Sequence, residues 1–180
     1  SLPKKWLSCG RFTSSPVVRQ RIAPRKIPIK TPKTQPLELN TMTVDILFPY
    51  YGDVSMMKQA VLSIVRQTNP DWRLIVVDDG YPDESIPGWF ASLNDERITY
   101  MRNETNLGAN ANYRKCLTFV ENDLVTVMGA DDVMLPNYVQ WLVDSAAAHP
   151  EASIFQPGVV VIDENNALSN TLVERTKEHY

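Results

Sequence analysis

Two pairs of adjacent acids, Asp78-Asp79 and Asp131-Asp132, are the residues of this chain with the strongest claim to chemistry. Each closes an apolar run, WRLIVVDD over residues 72–79 and LVTVMGADD over 124–132. Adjacent carboxylates repel one another unless water or a cation neutralises them. Hard carboxylate oxygens suit Mg²⁺ or Mn²⁺, which take one or two such ligands and fill their other positions with water and phosphate oxygens. An ion on Asp131 and Asp132 that bridged a diphosphate would neutralise charge developing on a leaving group. A carboxylate of the other pair can accept a hydrogen bond from a base imide N–H or a ribose hydroxyl. Pro49-Tyr50-Tyr51 closes a third apolar run, VDILFP, where a tyrosine ring offers a stacking face to a nucleobase. Each feature also has a plain structural reading. Asp is favoured in turns, Gly80 to Asp83 reads as one, and either tyrosine can pack into a core. Asn106-Leu107-Gly108 reads as a turn and helix cap, although a helix N-terminus there could also face phosphate.

The elements that must carry these residues alternate. The run at residues 44–49 reads as a buried strand. Residues 54–68 place Met57, Val61, Leu62, Ile64 and Val65 at helical spacing, and Asn69-Pro70 stops the helix. A second strand at 72–79 is followed by a short helix over 85–93 and a third strand at 97–103. A helix over 108–121 puts Tyr113, Leu117 and Val120 on one face. Residues 124–132 repeat the pattern of an apolar strand followed by acids, Pro136 fits the first turn of a helix to about Ala148, and residues 153–163 suggest one or two further strands. Continuously apolar strands alternating with helices predict an α/β fold, a mainly parallel sheet with helices on both faces. In such sheets ligands bind beyond the carboxyl ends of the strands, where all three candidate motifs lie.

Charge divides the chain in two. Residues 1–41 contain nine Lys/Arg, one acid (Glu38) and six of the 13 prolines. They read as a basic, Pro-rich, disordered or loosely docked tail, with an arm for nucleic acid or anionic lipid as a sharper alternative. A third reading makes Met42 the natural start and the preceding residues an extension without a selected function. From Met42 onward nine Lys/Arg face 20 Asp/Glu, about −11. No apolar run approaches the roughly 18 residues of a membrane span, and no signal peptide is evident. The chain opens on Ser1 and is read as part of a longer product. Cys9 and Cys116 form neither a metal-ligand pattern nor a disulfide framework, and Cys116 reads as a buried thiol.

Together the strings VDILFPYYG, VLSIVRQTNPDWRLIVVDDGYPDES, RITYMRNETNLGANAN and LVTVMGADDVMLPNYV resemble the amino-terminal half of family 2 glycosyltransferases of the Rossmann-like GT-A fold. The likeness spans roughly residues 43–165, and its specificity lies in the order and separation of the landmarks. It implies inverting transfer of a sugar from a nucleoside-diphosphate-sugar to an acceptor hydroxyl, assisted by Mg²⁺ or Mn²⁺. By position, Pro49 and Tyr51 would flank the base, Asp79 would bind it, and Asp132 would reach the metal with Asp131 beside it. Asn112 falls where some relatives place a nucleotide-contacting basic residue and joins the donor-binding set. Gly129 stands where the family often has Asp, Tyr81 replaces a small hydroxyl residue, and Gly52 replaces Asn.

The family's general base lies in a later segment, and no candidate for it is found. Residues 42–180 are therefore expected to form a truncated GT-A nucleotide-sugar-binding domain without the acceptor half. A glycan, lipid or protein acceptor, cell-surface glycan biosynthesis, and a cytoplasmic or peripheral cytoplasmic-membrane location follow as expectations; nucleic acid does not. The alternative is a truncated or non-catalytic module that binds nucleotide-sugar. A phosphoacceptor receiver domain needs its acid pair after the first strand, where Phe48 to Tyr51 stand. A dinucleotide oxidoreductase needs G-x-G-x-x-G there. A nucleotidyltransferase needs a glycine- and basic-rich phosphate loop at the same place. All three are absent.

Overall fold

The structure, a computed structural model, describes residues 42–162. The expected tail over 1–41, Cys9 and the end of the domain beyond 162 lie outside the described residues. Val44–Tyr50 (β1) and Trp72–Asp78 (β2) form the centre of a four-stranded sheet and are buried almost throughout. Ile98–Arg102 (β3) flanks β2 and Leu124–Val127 (β4) flanks β1, giving the order β3-β2-β1-β4 with every pair parallel. Parallel neighbours require crossovers. Val54–Val65 (α1), Ser85–Leu93 (α2) and Ala109–Leu117 (α3) provide them, and Tyr138–Ala148 (α4) follows β4.

Alternation along the central strands splits the core into two layers. Val44, Ile46, Phe48 and Tyr50 share one face with Leu74 and Val76 and pack against α1, α2 and α4. Leu47, Ile75 and Val77 point the other way, against Cys116 of α3. Helices thus cover both faces, as the apolar runs predict. Burial pushes the Cys116 thiol up to about 11, which leaves it protonated and inert. No helix among the described residues is long and apolar enough to cross a membrane.

Several boundaries differ from the sequence expectation, each for a reason of tertiary structure. α1 ends at Val65, not Thr68. Beyond it the buried side chain of Gln67 bonds the Leu135 carbonyl (2.7 Å) and accepts from the Val139 amide (3.0 Å), tying the chain to α4. β4 covers only Leu124–Val127, its ladder closing with the Met128 amide on the Leu47 carbonyl. α3 covers Ala109–Leu117 rather than 108–121. The amides of Glu121 and Asn122 donate to Asp45 of β1 (2.7 and 3.1 Å) instead of extending the helix.

The buried face of α3 is also corrected. Asn112 and Cys116 face the sheet, while Tyr113 and Leu117 are exposed. Burying Asn112 costs little because its amide donates to the Val77 carbonyl at 2.8 Å and its oxygen accepts from Asn103 at 3.0 Å. Pro136 precedes α4 and does not enter its first turn; its carbonyl accepts from the Thr68 amide at 2.8 Å. Residues 153–161 form no strand of the sheet. Pro157 lacks an amide donor, and Ile154, Val159 and Val160 stay exposed.

Candidate functional site

Because all four strands run the same way, their carboxyl ends open on one edge. A cavity of about 480 Å³ lies there, between the start of α1, the start of α3 and the loop after β4. Pro49 and Tyr51 line it from β1, Asp79 from β2, Asn112 from α3, and Asp131 from the loop. Five of the six predicted site residues therefore share one cavity. The sixth, Asp132, stands beside Asp131 in the same loop.

The carboxylates of Asp131 and Asp132 fold back over Gly129. A β-carbon built on Gly129 would lie 2.7 Å from an Asp132 oxygen and 2.9 Å from an Asp131 oxygen. Glycine at this position leaves both exposed carboxylates free to turn toward one point. Two adjacent hard-oxygen donors with room for water and phosphate match what Mg²⁺ or Mn²⁺ takes from a protein. Among the described residues no group of three or more His, Cys, Asp or Glu is placed to hold a metal ion.

Asp79 is held differently. It is buried, and its carboxylate accepts from the Leu107 amide (2.8 Å), the Gly108 amide (2.9 Å) and the Asn103 side chain (2.7 Å). The acid thus draws in the loop before α3, and Gly108 takes φ +82° to present its amide. The two residues of the first acid pair divide their work. Asp78 accepts from the Tyr81 amide (2.9 Å) and the Tyr100 hydroxyl (2.7 Å), with Arg102 at 3.8 Å. Burial, then the bond to Asp78, pushes the Tyr100 phenol well above its ordinary range, so it stays a donor.

The two tyrosines after β1 also separate. Tyr50 is fully buried and donates its hydroxyl to the Gly52 carbonyl at 2.7 Å. Burial, then the charge of Asp78, raises its pKa far above normal. Tyr51 is 54% exposed, its ring edge-on to Tyr81 with centroids 5.2 Å apart. A half-exposed aromatic ring on the cavity wall is what a stacking residue needs.

Sequence reasoning missed several lining residues, among them Asp53, Tyr113 and Ala130. Asp53 caps α1 by accepting from the Met56 amide at 2.9 Å and also faces the cavity. An Asp just before a helical stripe signalled a cap. Tyr113 lines the cavity from α3, and Ala130 joins from the loop. Among the described residues no Lys or Arg lines the cavity, while Asp53, Asp79 and Asp131 do.

A parallel α/β sheet whose carboxyl edge gathers an aromatic ring and paired acids has the architecture of the Rossmann-like class, whose ligands bind at that edge. The model of the family described as glycosyl transferase family 2 matches residues 45–178, and the chain belongs to that family. One relative is a glycosyl transferase assigned to colanic acid biosynthesis, WcaA of Escherichia coli (strain K12). It is 30% identical over 99 residues, covering 54% of this chain and 36% of the relative. TarS of S. aureus (residues 1–349), solved in complex with UDP-GlcNAc, matches with a TM-score of 0.52 and 23% identity over 61% of this chain and 32% of that one. The mannosyltransferase PcManGT from Pyrobaculum calidifontis, in complex with GDP-Man and Mn²⁺, matches with a TM-score of 0.50 and 18% identity over 64% and 35%. These structures establish the GT-A fold. The chain spans between about a third and a half of the length of four curated relatives it matches.

Proposed function

We propose that this chain binds the donor for an inverting glycosyltransferase, which moves a sugar from a nucleoside-diphosphate-sugar to an acceptor hydroxyl. One observation carries the reading: separate parallel strands deliver Pro49, Tyr51, Asp79 and Asp131 to one cavity. In this reading Tyr51 and Pro49 flank the base, Asp79 and Asn112 shape the wall beneath it, and Asp131 and Asp132 hold the diphosphate end. A divalent ion, when bound, offsets the charge of the leaving diphosphate. That solved neighbours carry UDP-GlcNAc and, in one case, GDP-Man with Mn²⁺ supports a nucleotide-sugar donor and Mg²⁺ or Mn²⁺. We assign residues 42–180 to the donor domain. A glycan, lipid or protein acceptor and a role in cell-surface glycan assembly fit the relative assigned to colanic acid biosynthesis. The nine Lys and Arg of residues 1–41 suit an anionic surface, which supports a place in the cytoplasm or at the cytoplasmic membrane face.

Isothermal titration with UDP-, GDP- and dTDP-sugars, with and without Mn²⁺, tests the reading. Binding of at least one donor should require the metal, vanish in Asp132→Ala and weaken in Asp131→Asn. Equal affinity of the wild type and Asp132→Ala, or binding indifferent to Mn²⁺, would overturn the metal assignment. Binding without transfer or donor hydrolysis would mark a donor-binding module.

A further inference from the structure

Behind two lining residues, Asp79 and Asn112, runs a polar chain whose other members, Asn103 and Lys115, do not line the cavity. The Lys115 ammonium donates to Asn103 Oδ1 at 2.7 Å. Asn103, 5% exposed, turns its Nδ2 to Asp79 (2.7 Å) and to the side-chain oxygen of Asn112 (3.0 Å). Asn112 in turn donates to the Val77 carbonyl at 2.8 Å. These partners fix the flip of Asn103. Reversed, its amide N–H groups would meet an ammonium and its oxygen would meet two acceptors. With that flip fixed, the Asp79 carboxylate is set to receive the Leu107 and Gly108 amides. The loop they belong to places Asn106, Ala109 and Tyr113 on the cavity wall. Glu104 to Gly108 are otherwise exposed.

We propose that Lys115 and Asn103 are positioning residues for the donor, holding the loop of residues 104–108 and the start of α3 in binding geometry through Asp79. The inference rests on the donor-site reading. Neither residue lines the cavity, so an effect on donor affinity passes through the lining residues that Asn103 holds, Asp79 with its loop and Asn112. Lys115 is the lever because it orients the Asn103 amide without touching the loop. A partly buried network of this kind acts as a unit, and removing one member unpairs the next.

The test compares Lys115→Met with Lys115→Arg in the full chain. Without nucleotide, Lys115→Met should speed hydrogen exchange of the Leu107 and Gly108 amides about tenfold or more. Amides of Leu47 and Val76 at the sheet centre should keep wild-type protection. The affinity for UDP or GDP, each measured with Mn²⁺, should fall by a comparable factor, and Lys115→Arg should restore both readouts. Unchanged exchange at the two amides overturns the proposal, and so does faster exchange with wild-type nucleotide affinity. A uniform rise in exchange across the sheet also overturns it, by showing a general loss of stability. A wild-type chain that binds neither nucleotide defeats the donor reading itself and this inference with it. A wild type that binds, with Lys115→Met binding equally well, defeats this inference alone.

Discussion

Asp45 sits fully buried at the amino end of β1, opposite the cavity edge. Its carboxylate receives Arg73 (3.0 and 3.1 Å), the Glu121 and Asn122 amides (2.7 and 3.1 Å) and the Asn122 side chain (2.7 Å). Burial alone would push its pKa up. The Arg73 bonds and the amides of Glu121 and Asn122 outweigh it and hold the carboxyl down from 3.8 to about 2. Each tenfold change in proton affinity is worth about 1.4 kcal/mol, so the charged form stabilises the fold by about 2 kcal/mol. Because the folded pKa lies below the unfolded one, this contribution is complete at neutral pH. It is lost as pH falls through 3.8 toward about 2. Asp45→Asn should lower the unfolding free energy by at least about 2 kcal/mol at neutral pH, since an amide N–H₂ would also face Arg73 or the loop amides. Urea unfolding followed by tryptophan fluorescence, from about pH 7 to about pH 2.5, should show the gap between wild type and variant closing on the acid side. Parallel loss of stability in both proteins over that range would refute the assignment of this acid lability to Asp45.

Tyr51→Ala should weaken nucleotide binding roughly 5- to 150-fold, the worth of one stacked base at about 1–3 kcal/mol, while leaving the melting temperature unchanged; titration and calorimetry read the two. Gly80 adopts φ +74°, and a β-carbon there would lie 3.3 Å from backbone atoms of Thr105 and Asn106. Gly80→Ala should therefore cost about 1–2 kcal/mol in chemical denaturation and displace the loop that Asp79 holds. Gly129→Ala places its new methyl against the Asp131 and Asp132 carboxylates, whose ends are free to swing aside. Its stability should stay within about 0.5 kcal/mol of wild type while the Mn²⁺ dependence of nucleotide binding weakens, as titration at varied Mn²⁺ will show.

What was legible in the sequence was whatever local pattern alone decides. β1 and β2 are apolar at nearly every position because helices cover both their faces, and acids at the ends of such strands must emerge at the sheet edge. Long-range contacts wrote the rest. Asn112 could be placed on the buried face of α3 only by knowing that the Val77 carbonyl and Asn103 would satisfy it. The end of α3 depends on Asp45, 76 residues before the amide of Glu121. Residues 153–161 have the composition of a strand, but strand propensity acts only against a neighbour that offers a ladder. Asp79 looked like a ligand contact because its type and place suited one. That it also ties down Leu107 and Gly108 is invisible without the fold.

The charge of the cavity constrains how the proposed donor is held. A diphosphate carries at least two negative charges, and among the described residues the walls add Asp53, Asp79 and Asp131 without one Lys or Arg. The helix starts of α1 and α3 each offer about half a positive charge, and Asp53 already accepts from the Met56 amide at the first. Asp79 has its carboxylate turned onto the amides of Leu107 and Gly108, so part of its charge is spread into the loop. Even then the balance at the Asp131 end stays negative. A cation between those carboxylates and the phosphates reverses the sign of that contact, turning the acids from a barrier into ligands. An acidic wall and an anionic donor are compatible on that condition, which makes the Mn²⁺ dependence of binding the most exacting consequence of the site.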